Sequence, residues 1–571
     1  MRYWPVGGIL LFCALSLPAQ GQWAERTYQI QAGWNAVFLD VEPYPSACSD
    51  LLEGLPVESV WSRRDDGSTI KVVGSIPQLL QEEDLWKVYY PEDSPHSQIN
   101  SLSRLEVGRA FLIQASESFT LTFKGRPRFV DRAWKVGSLN LAGFYVQSGN
   151  AASFEDFLSA DPSTGVRSAY SLMPTGGWSE IGDLSTSIEP GKAYLVQGEF
   201  KRGAGAVHLD VGTGYSFEFP RGTNTQTINL SCETGESSTV QIALSDSESI
   251  PDGSPSLGQE APIPIAGSVA ARWRLAERPS DPWRPFPASI RMDGEATPEV
   301  NVRIAIDRLA MGAGDPGDLN QGILTVTDDS GYSRQFGISG ERLDPTGLWV
   351  GTVTLDAVSM PFEQGIEQAP EYTPAKTEFR VLVHVDENGD LKLIDEATQM
   401  WRPMENHPDG GEFVLLTRSL SDDLRAELSA GLKNGSIDRP LRISTVNFDL
   451  RDENNAPVDQ PLSGQFIPGA TLETTVVLHD ENPTNPFHHK YHPDLTWFDN
   501  PLPSEIWDVS REISLYLDPA QSSEEAEAGW GDSWLRGTYA ERISGIHEYD
   551  IQVAGTVYFR HLSRIGALNG E

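Results

Sequence analysis

The chain has 571 residues, with 81 acidic against 43 basic side chains and a formal net charge of -38 at pH 7. A charge of that sign repels a nucleic-acid duplex at almost any approach and disfavours acidic lipid surfaces, so neither is expected as a partner. Length implies three or four domains, and 52 glycines with 39 prolines suit a chain rich in turns.

The first residues read as an export signal, residues 1–21: Arg2, an apolar run from Gly8 to Leu17, then small residues at Ala19 and Gly21. That run is shorter than the roughly 20 apolar residues a membrane span needs, and no later segment reads as a span. The expected location is therefore the periplasm, cell surface or extracellular space. Cys13 lacks the small residues that precede a lipidated cysteine. Of the cysteines that remain, Cys48 reads as a buried thiol in an apolar slot, and a bond to Cys232 is left open.

A segment then occurs twice. Glu106-Val107-Gly108-Arg109-Ala110-Phe111 is echoed by Glu189-Pro190-Gly191-Lys192-Ala193-Tyr194. Upstream, Asn35 to Leu39 parallels Asn140 to Tyr145 with one residue inserted. Ser59-Val60-Trp61-Ser62 likewise parallels Ser168-Ala169-Tyr170-Ser171. Repeated segments are statements about folding units, here 22–127 and 128–210. Each copy reads as a strand, a short helix, a strand carrying Trp61 or Tyr170, a strand near Trp86 or Trp178, and a closing strand. Ser153 with Asp156 has capping-box character, and Ser46 or Ser49 is the corresponding cap. The extra residues of copy one, Gly74 to Asn100, read as a surface excursion.

Period-2 alternation follows in 211–343: Phe217 and Phe219, Ile228 and Leu230, Val240 and Ile242. It predicts an antiparallel Ig-like sandwich, with Asp328-Asp329-Ser330-Gly331 as one of its turns. Residues 344–571 read as a larger β-rich domain with one helix, capped by Ser421 and carrying Leu424, Leu428 and Leu432. The expected fold is thus mainly β and multidomain: two related small β-rich repeat domains, an Ig-like sandwich and a larger β-rich C-terminal domain.

Gly33-Trp34-Asn35 and Pro190-Gly191-Lys192-Ala193-Tyr194 resemble repeats of large secreted β-rich proteins of environmental bacteria. The stretches Thr346 to Val353 and Asn485 to Asp494 are similar to other parts of such proteins. The resemblance implies export and a β-rich build and brings no activity. Copy one departs from the closing pattern, with Val107 where copy two has Pro190.

Three candidate sites compete with plainer readings. His479, His488, His492 and Asp494 offer imidazole and carboxylate ligands for Zn²⁺, set against an irregular loop interrupted by Pro483, Pro486 and Pro493. Asp386-Glu387-Asn388-Gly389-Asp390 has alternating oxygen ligands for Ca²⁺, but its glycine is out of EF-hand register and strands flank it, so it reads as a hairpin turn. Of the tryptophans, Trp34, Trp61, Trp86 and Trp178 read as core. Trp497, Trp507, Trp530 and Trp534 lie near polar loops, where an indole can stack on a sugar. No nucleophile elbow, P-loop or dinucleotide fingerprint is present. The function expected is that of an exported structural or binding protein without enzymatic activity, its partners other envelope or extracellular proteins or glycans. The alternatives are a glycan-binding module set and a metal-dependent hydrolase built on the His-rich loop.

Overall fold

The computed structural model describes residues 22–64, 70, 73–80, 85–130, 135, 137–147, 152–159, 165–200, 207–210, 216–232, 237–251, 267–293, 299–311, 315–360, 369–403, 411–420, 441–444, 448–479, 482–487, 507–519, 528–547 and 549–569. The fold is mainly β, in several separate sheets. It divides into two compact units, Met1–Arg342 and Leu343–Glu571. Residues 1–21, read as an export signal, and the helix read at Ser421 to Leu432 lie outside the described residues.

In the first unit, two four-stranded sheets have the same strand order. One runs Gly33–Phe38, Ala110–Ala115, Val57–Arg63, Trp86–Tyr89; the other runs Asn140–Gly143, Ala193–Gln197, Ser168–Leu172, Trp178–Glu180. A four-stranded sheet must bury a face against something, and these two bury theirs against each other. Phe38, Ile76, Trp86 and Leu112 from one share a core with Phe144, Phe154, Phe157 and Leu195 from the other. Behind the first sheet a three-stranded sheet (Ala24–Ile30, Phe119–Pro127, Val41–Tyr44) covers the opposite face through Tyr28, Phe123, Phe111 and Ile113.

The two sheets meet reciprocally. The Trp34 N–H donates to the Pro174 carbonyl at 2.9 Å, and the Leu139 N–H, its counterpart, donates to the Ile70 carbonyl at 2.8 Å. Each first strand thus receives a residue that follows the other copy's Val57–Arg63 or Ser168–Leu172 strand, the pattern of an isologous pairing. At its centre Phe38 and Gly143 hold corresponding positions, opposite Ala110 and Ala193, and a Cβ on Gly143 would collide with Cβ and Cγ of Phe38.

The motifs that carry the echo are structural. Asn35 Oδ1 accepts from the Gln31 N–H at 2.9 Å, and its amide donates to the Gln31 and Gly33 carbonyls. Asn140 does the same with Lys135 and Ser138. Each asparagine ties off the loop before its strand, leaving few orphan groups there. Gly108 and Gly191 sit at φ of 71° and 72°, the left-handed conformation that glycine takes at the third position of a type II turn. Glu106 pairs with Arg109 across one turn at 2.6 Å, and Glu189 with Lys192 across the other at 2.9 Å.

Some local expectations change. Ser153 does form a capping box with Asp156, whose carboxylate accepts from the Ser153 N–H at 2.8 Å. The first copy's helix, Cys48–Leu51, has Ala47 rather than Ser46 or Ser49 at its N-cap. Gly74 to Asn100 is not all surface: Ile76 opens the short helix Ile76–Leu79 and is fully buried in the shared core, as is most of Trp86. Apolar burial decides there over an unpatterned, proline-bearing stretch. Cys48 is a free, buried thiol whose pKa burial pushes up to about 12; the Cys232 side chain lies outside the described residues.

The sandwich packs a five-stranded on a six-stranded sheet around Phe217, Phe219, Ile228, Val240, Ile242 and Leu324. Its hairpin Leu319–Thr327 to Ser333–Glu341 turns at Asp328, whose Oδ1 accepts from the N–H groups of Ser330 and Tyr332. The tip reaches the second repeat sheet's core. There the Ser333 N–H donates to the Tyr145 carbonyl, and Tyr332 packs edge-on or tilted against Phe129, Tyr145 and Phe157.

In the second unit an eight-stranded antiparallel sheet rolls into a nearly closed barrel, in the order Gln460–Leu462, Leu391–Ile394, Glu371–Val385, Gly347–Val358, Ile551–Ser563, Trp534–Ser544, Val509–Leu517, Thr471–Leu478. Its ends are joined by Ser463 and Glu473, each donating its N–H to the other's carbonyl. Eight strands leave an interior that side chains fill: Trp349, Val353, Phe379, Val381, Leu515, Phe559 and Phe466 among them. Gly351 makes room for Phe559 and Val381. Arg511 and Glu541 form an ion pair inside, with the Tyr539 hydroxyl donating to Glu541 at 2.7 Å. A three-stranded sheet (Glu396–Pro403, Gly411–Thr417, Leu441–Ser444) adds a small core in which Leu415 and Ala397 meet Leu348, Leu382 and Ile394.

Candidate ligand-binding groove

Strand alternation puts every second residue of the barrel wall outside. On Gly347–Val358 these are Val350, Thr352 and Thr354; on Ile551–Ser563 they are Thr556, Tyr558, Arg560 and Leu562. Cross-strand register sets them in rows. Tyr558 lies between Thr352 and Arg536, and Thr352 in turn pairs with Arg380; Arg560 lies between Val350 and Trp534. On this outer face the rows line a groove of about 940 Å³.

Among the described residues, three guanidinium groups, Arg380, Arg536 and Arg560, share the groove with one carboxylate, Asp518, which Arg536 holds at 3.0 Å. The rings are arranged as a platform. Tyr558 stacks on Trp534 with centroids 5.7 Å apart, and the Arg560 guanidinium lies over Tyr558 at 5.5 Å. Tyr558 and Tyr516 are about two-fifths exposed and Leu562 more than half, so the platform faces solvent. Threonine hydroxyls at 352, 354, 538 and 556 supply donors and acceptors between the rings.

The residues singled out in the sequence fall elsewhere. His479 Nδ1 lies 3.4 Å from the Asp508 carboxylate, while His488, His492 and Asp494 lie outside the described residues. Among the described residues no group of three His, Cys, Asp or Glu side chains is placed to hold a metal ion. In the segment Asp386 to Asp390, Asp386 Oδ1 accepts from the Asn388 and Asp390 N–H groups at 2.8 Å each, and Gly389 turns at φ 85°. That carboxylate builds a hairpin between Glu371–Val385 and Leu391–Ile394.

The tryptophans divide. Trp86 is buried, and Trp34, Trp61 and Trp178 pack half-buried against the shared core. Trp507 is 58% exposed, Trp530 is buried, and Trp534 joins the groove platform; Trp497 lies outside the described residues. Sequence reasoning missed Tyr558, Arg560 and Arg380. The available signal was the alternation Thr556, Tyr558, Arg560, Leu562, whose outward members are large or charged while Val557 and Phe559 point in.

Two histidines of this unit, buried His384 and half-buried His561, are structural. His384 Nε2 lies 2.9 Å from the Ile565 carbonyl, and burial lowers its pKa. His561 stacks on Trp349 at 4.3 Å, its ring nitrogens 2.9 and 3.1 Å from the Asp532 and Thr346 carbonyls; burial lowers its pKa, and Arg564 adds to the shift.

No family model and no curated protein matches the chain. One similar solved structure is the crystal structure of the E. coli chaperone DraB, at 10% identity over 31% of this chain and 89% of that one, with a TM-score of 0.14. A likeness that slight carries no argument. Among the described residues no helix is long and apolar enough to cross a membrane.

Proposed function

We propose that this is an exported binding protein without enzymatic activity, and that the barrel groove of its second unit holds an acidic polysaccharide chain. The carrying observation is the cluster Arg380, Arg536 and Arg560 around the exposed Tyr558, stacked on half-buried Trp534, in a chain whose net charge is -38. Aromatic faces suit sugar rings, and guanidinium forks suit carboxylate or sulfate. A polyuronate carries one charge per sugar, far sparser than the one per ~1.7 Å of a duplex. The local cations can therefore outweigh the repulsion of the whole chain for such a ligand. The signal-like pattern of residues 1–21 and the repeat resemblance support placement outside the cytoplasm.

Affinity electrophoresis through gels containing alginate, a sulfated galactan or neutral dextran tests the reading. Retardation is expected with an anionic polymer and not with dextran. Arg560→Ala and Arg380→Ala should each weaken it roughly tenfold, the worth of one charge-assisted contact. Equal retardation by dextran, or none by either anionic polymer, would overturn the proposal.

A further inference from the structure

A second cationic site lies in the first unit, within the first repeat copy. Ser62, Lys87, Ser103, Arg104, Glu106 and Arg109 line a pocket of about 300 Å³. The strands explain why they meet. Ser62 on Val57–Arg63 faces Lys87 on Trp86–Tyr89, and Arg109 stands at the start of the closing strand, behind the Gly108 turn.

Among the described residues the charges in this pocket do not balance. Glu106, the one acid among its described lining residues, is already engaged by Arg109 at 2.6 Å. Among the described residues neither Lys87 nor Arg104 has a carboxylate in ion-pair range. In a chain where acids outnumber bases 81 to 43, that is the reverse of the usual surroundings of a lysine or arginine.

The second copy serves as an internal control. Ser62, Glu106 and Arg109 correspond to Ser171, Glu189 and Lys192, so the serine and the ion pair over the turn belong to the shared scaffold. Lys87 does not. Its register partner is Ser62, and in the second copy Ser171 faces Ser179. The fold of the unit is built without this cation in one of its two versions. The lysine is therefore an addition to the scaffold, and it is aimed into a pocket.

We propose that this pocket binds a tetrahedral oxyanion, a sulfate or phosphate group, free or carried on a ligand of about monosaccharide size. Lys87 supplies a point charge, Arg104 and Arg109 supply directional N–H donors, and the serine hydroxyls complete the oxygen shell. The site is independent of the barrel groove.

Calorimetric titration of the full chain at low ionic strength with inorganic sulfate, inorganic phosphate and glucuronate tests this. Saturable binding of sulfate or phosphate is expected, with glucuronate weaker. The pair Lys87→Ala, Arg104→Ala should weaken it tenfold or more, while Lys192→Ala in the second copy leaves it unchanged. Arg104 is exposed and Lys87 only half-buried, and an unaltered circular dichroism spectrum verifies that the double variant is folded. Absence of saturable binding up to about 10 mM, or unchanged binding in that variant, would overturn the proposal. So would loss of sulfate binding in Arg560→Ala, which would place the ion in the groove. Retained polysaccharide binding by the Lys87, Arg104 variant separates failure of one site from failure of the other.

Discussion

The two repeat sheets of the first unit share strand order, the loop-tying asparagine and the glutamate–cation pair over a glycine turn. They differ in what they meet. The first sheet has a three-stranded sheet behind it and a pocket with Lys87 and Arg104 at its edge; the second has the tip of the sandwich hairpin against its core. What the copies hold in common is what a four-stranded layer needs to close on its neighbour. What separates them is contact with something beyond the pair. A motif that recurs is therefore evidence about folding, and chemistry is better sought where the copies diverge.

The sharpest way to break this comparison is at the centre of the pairing, where Phe38 and Gly143 are counterparts of different size. Gly143→Ala would drive a methyl into a side chain that is 3% exposed, and overpacking of this kind costs about 3 kcal/mol or more. Phe38→Gly leaves a cavity and a strand glycine, together worth about 4–6 kcal/mol. Combined, the two should cost clearly less than their sum, because the new methyl enters the space that the ring and its Cβ vacate. Denaturant unfolding of the four proteins measures this. Simple additivity would mean that the two sheets do not meet as described.

Next comes the asparagine pair. Both side chains make the same three bonds, but Asn140 is 8% exposed and Asn35 only partly buried. Orphaned buried backbone groups cost about 1–3 kcal/mol, while exposed ones recover water. Asn140→Ala should therefore cost about 2 kcal/mol and Asn35→Ala about half of that, read as a shift in unfolding midpoint. Equal costs would show that burial does not set the worth of this motif.

How much of this the residues disclose in advance depends on range. The echo of Glu106 to Phe111 in Glu189 to Tyr194 is legible because both turns obey local rules: a glycine at positive φ, an ion pair three residues apart, then apolar alternation. The capping box at Ser153 and the hairpin at Asp386 are local in the same sense. Ile76 was not legible, since a four-residue helix with a proline carries no periodicity and its burial comes from the other copy. Nor was closure of the barrel, which joins Ser463 to Glu473 across a sheet of eight strands. The groove failed for another reason. Thr352, Tyr558 and Arg536 lie on three strands, and only register makes them neighbours.

The smallest effect concerns the second sheet's guest. Asp328, at the hairpin tip that reaches this sheet, is 4% exposed, and burial raises its pKa to about 6, against the lowering pull of Ser330, Arg334 and Tyr332. A folded-state pKa above the unfolded value of 3.8 means that the folded chain holds this proton more tightly. The stabilisation is fully present below pH 3.8 and is lost as pH rises through about 6, so at pH 8 the buried charge is a burden. Asp328→Asn keeps the oxygen that accepts from Ser330 and Tyr332 and removes the charge. It should raise the first unit's unfolding midpoint at pH 8, by an amount on the order of 1–2 kcal/mol, and leave it nearly unchanged at pH 4. His384 in the second unit has the opposite sign: its lowered pKa means stability is present above about pH 6.5 and is lost as pH falls. Calorimetry from pH 8 to pH 5 should thus show the two units' transitions shifting in opposite directions as far as these groups govern them, with Asp328→Asn abolishing the first shift and leaving the second. If the substitution changes the midpoint equally at pH 4 and pH 8, Asp328 is not titrating in the folded hairpin, and its part in seating the tip on the second sheet is purely that of a hydrogen-bond acceptor.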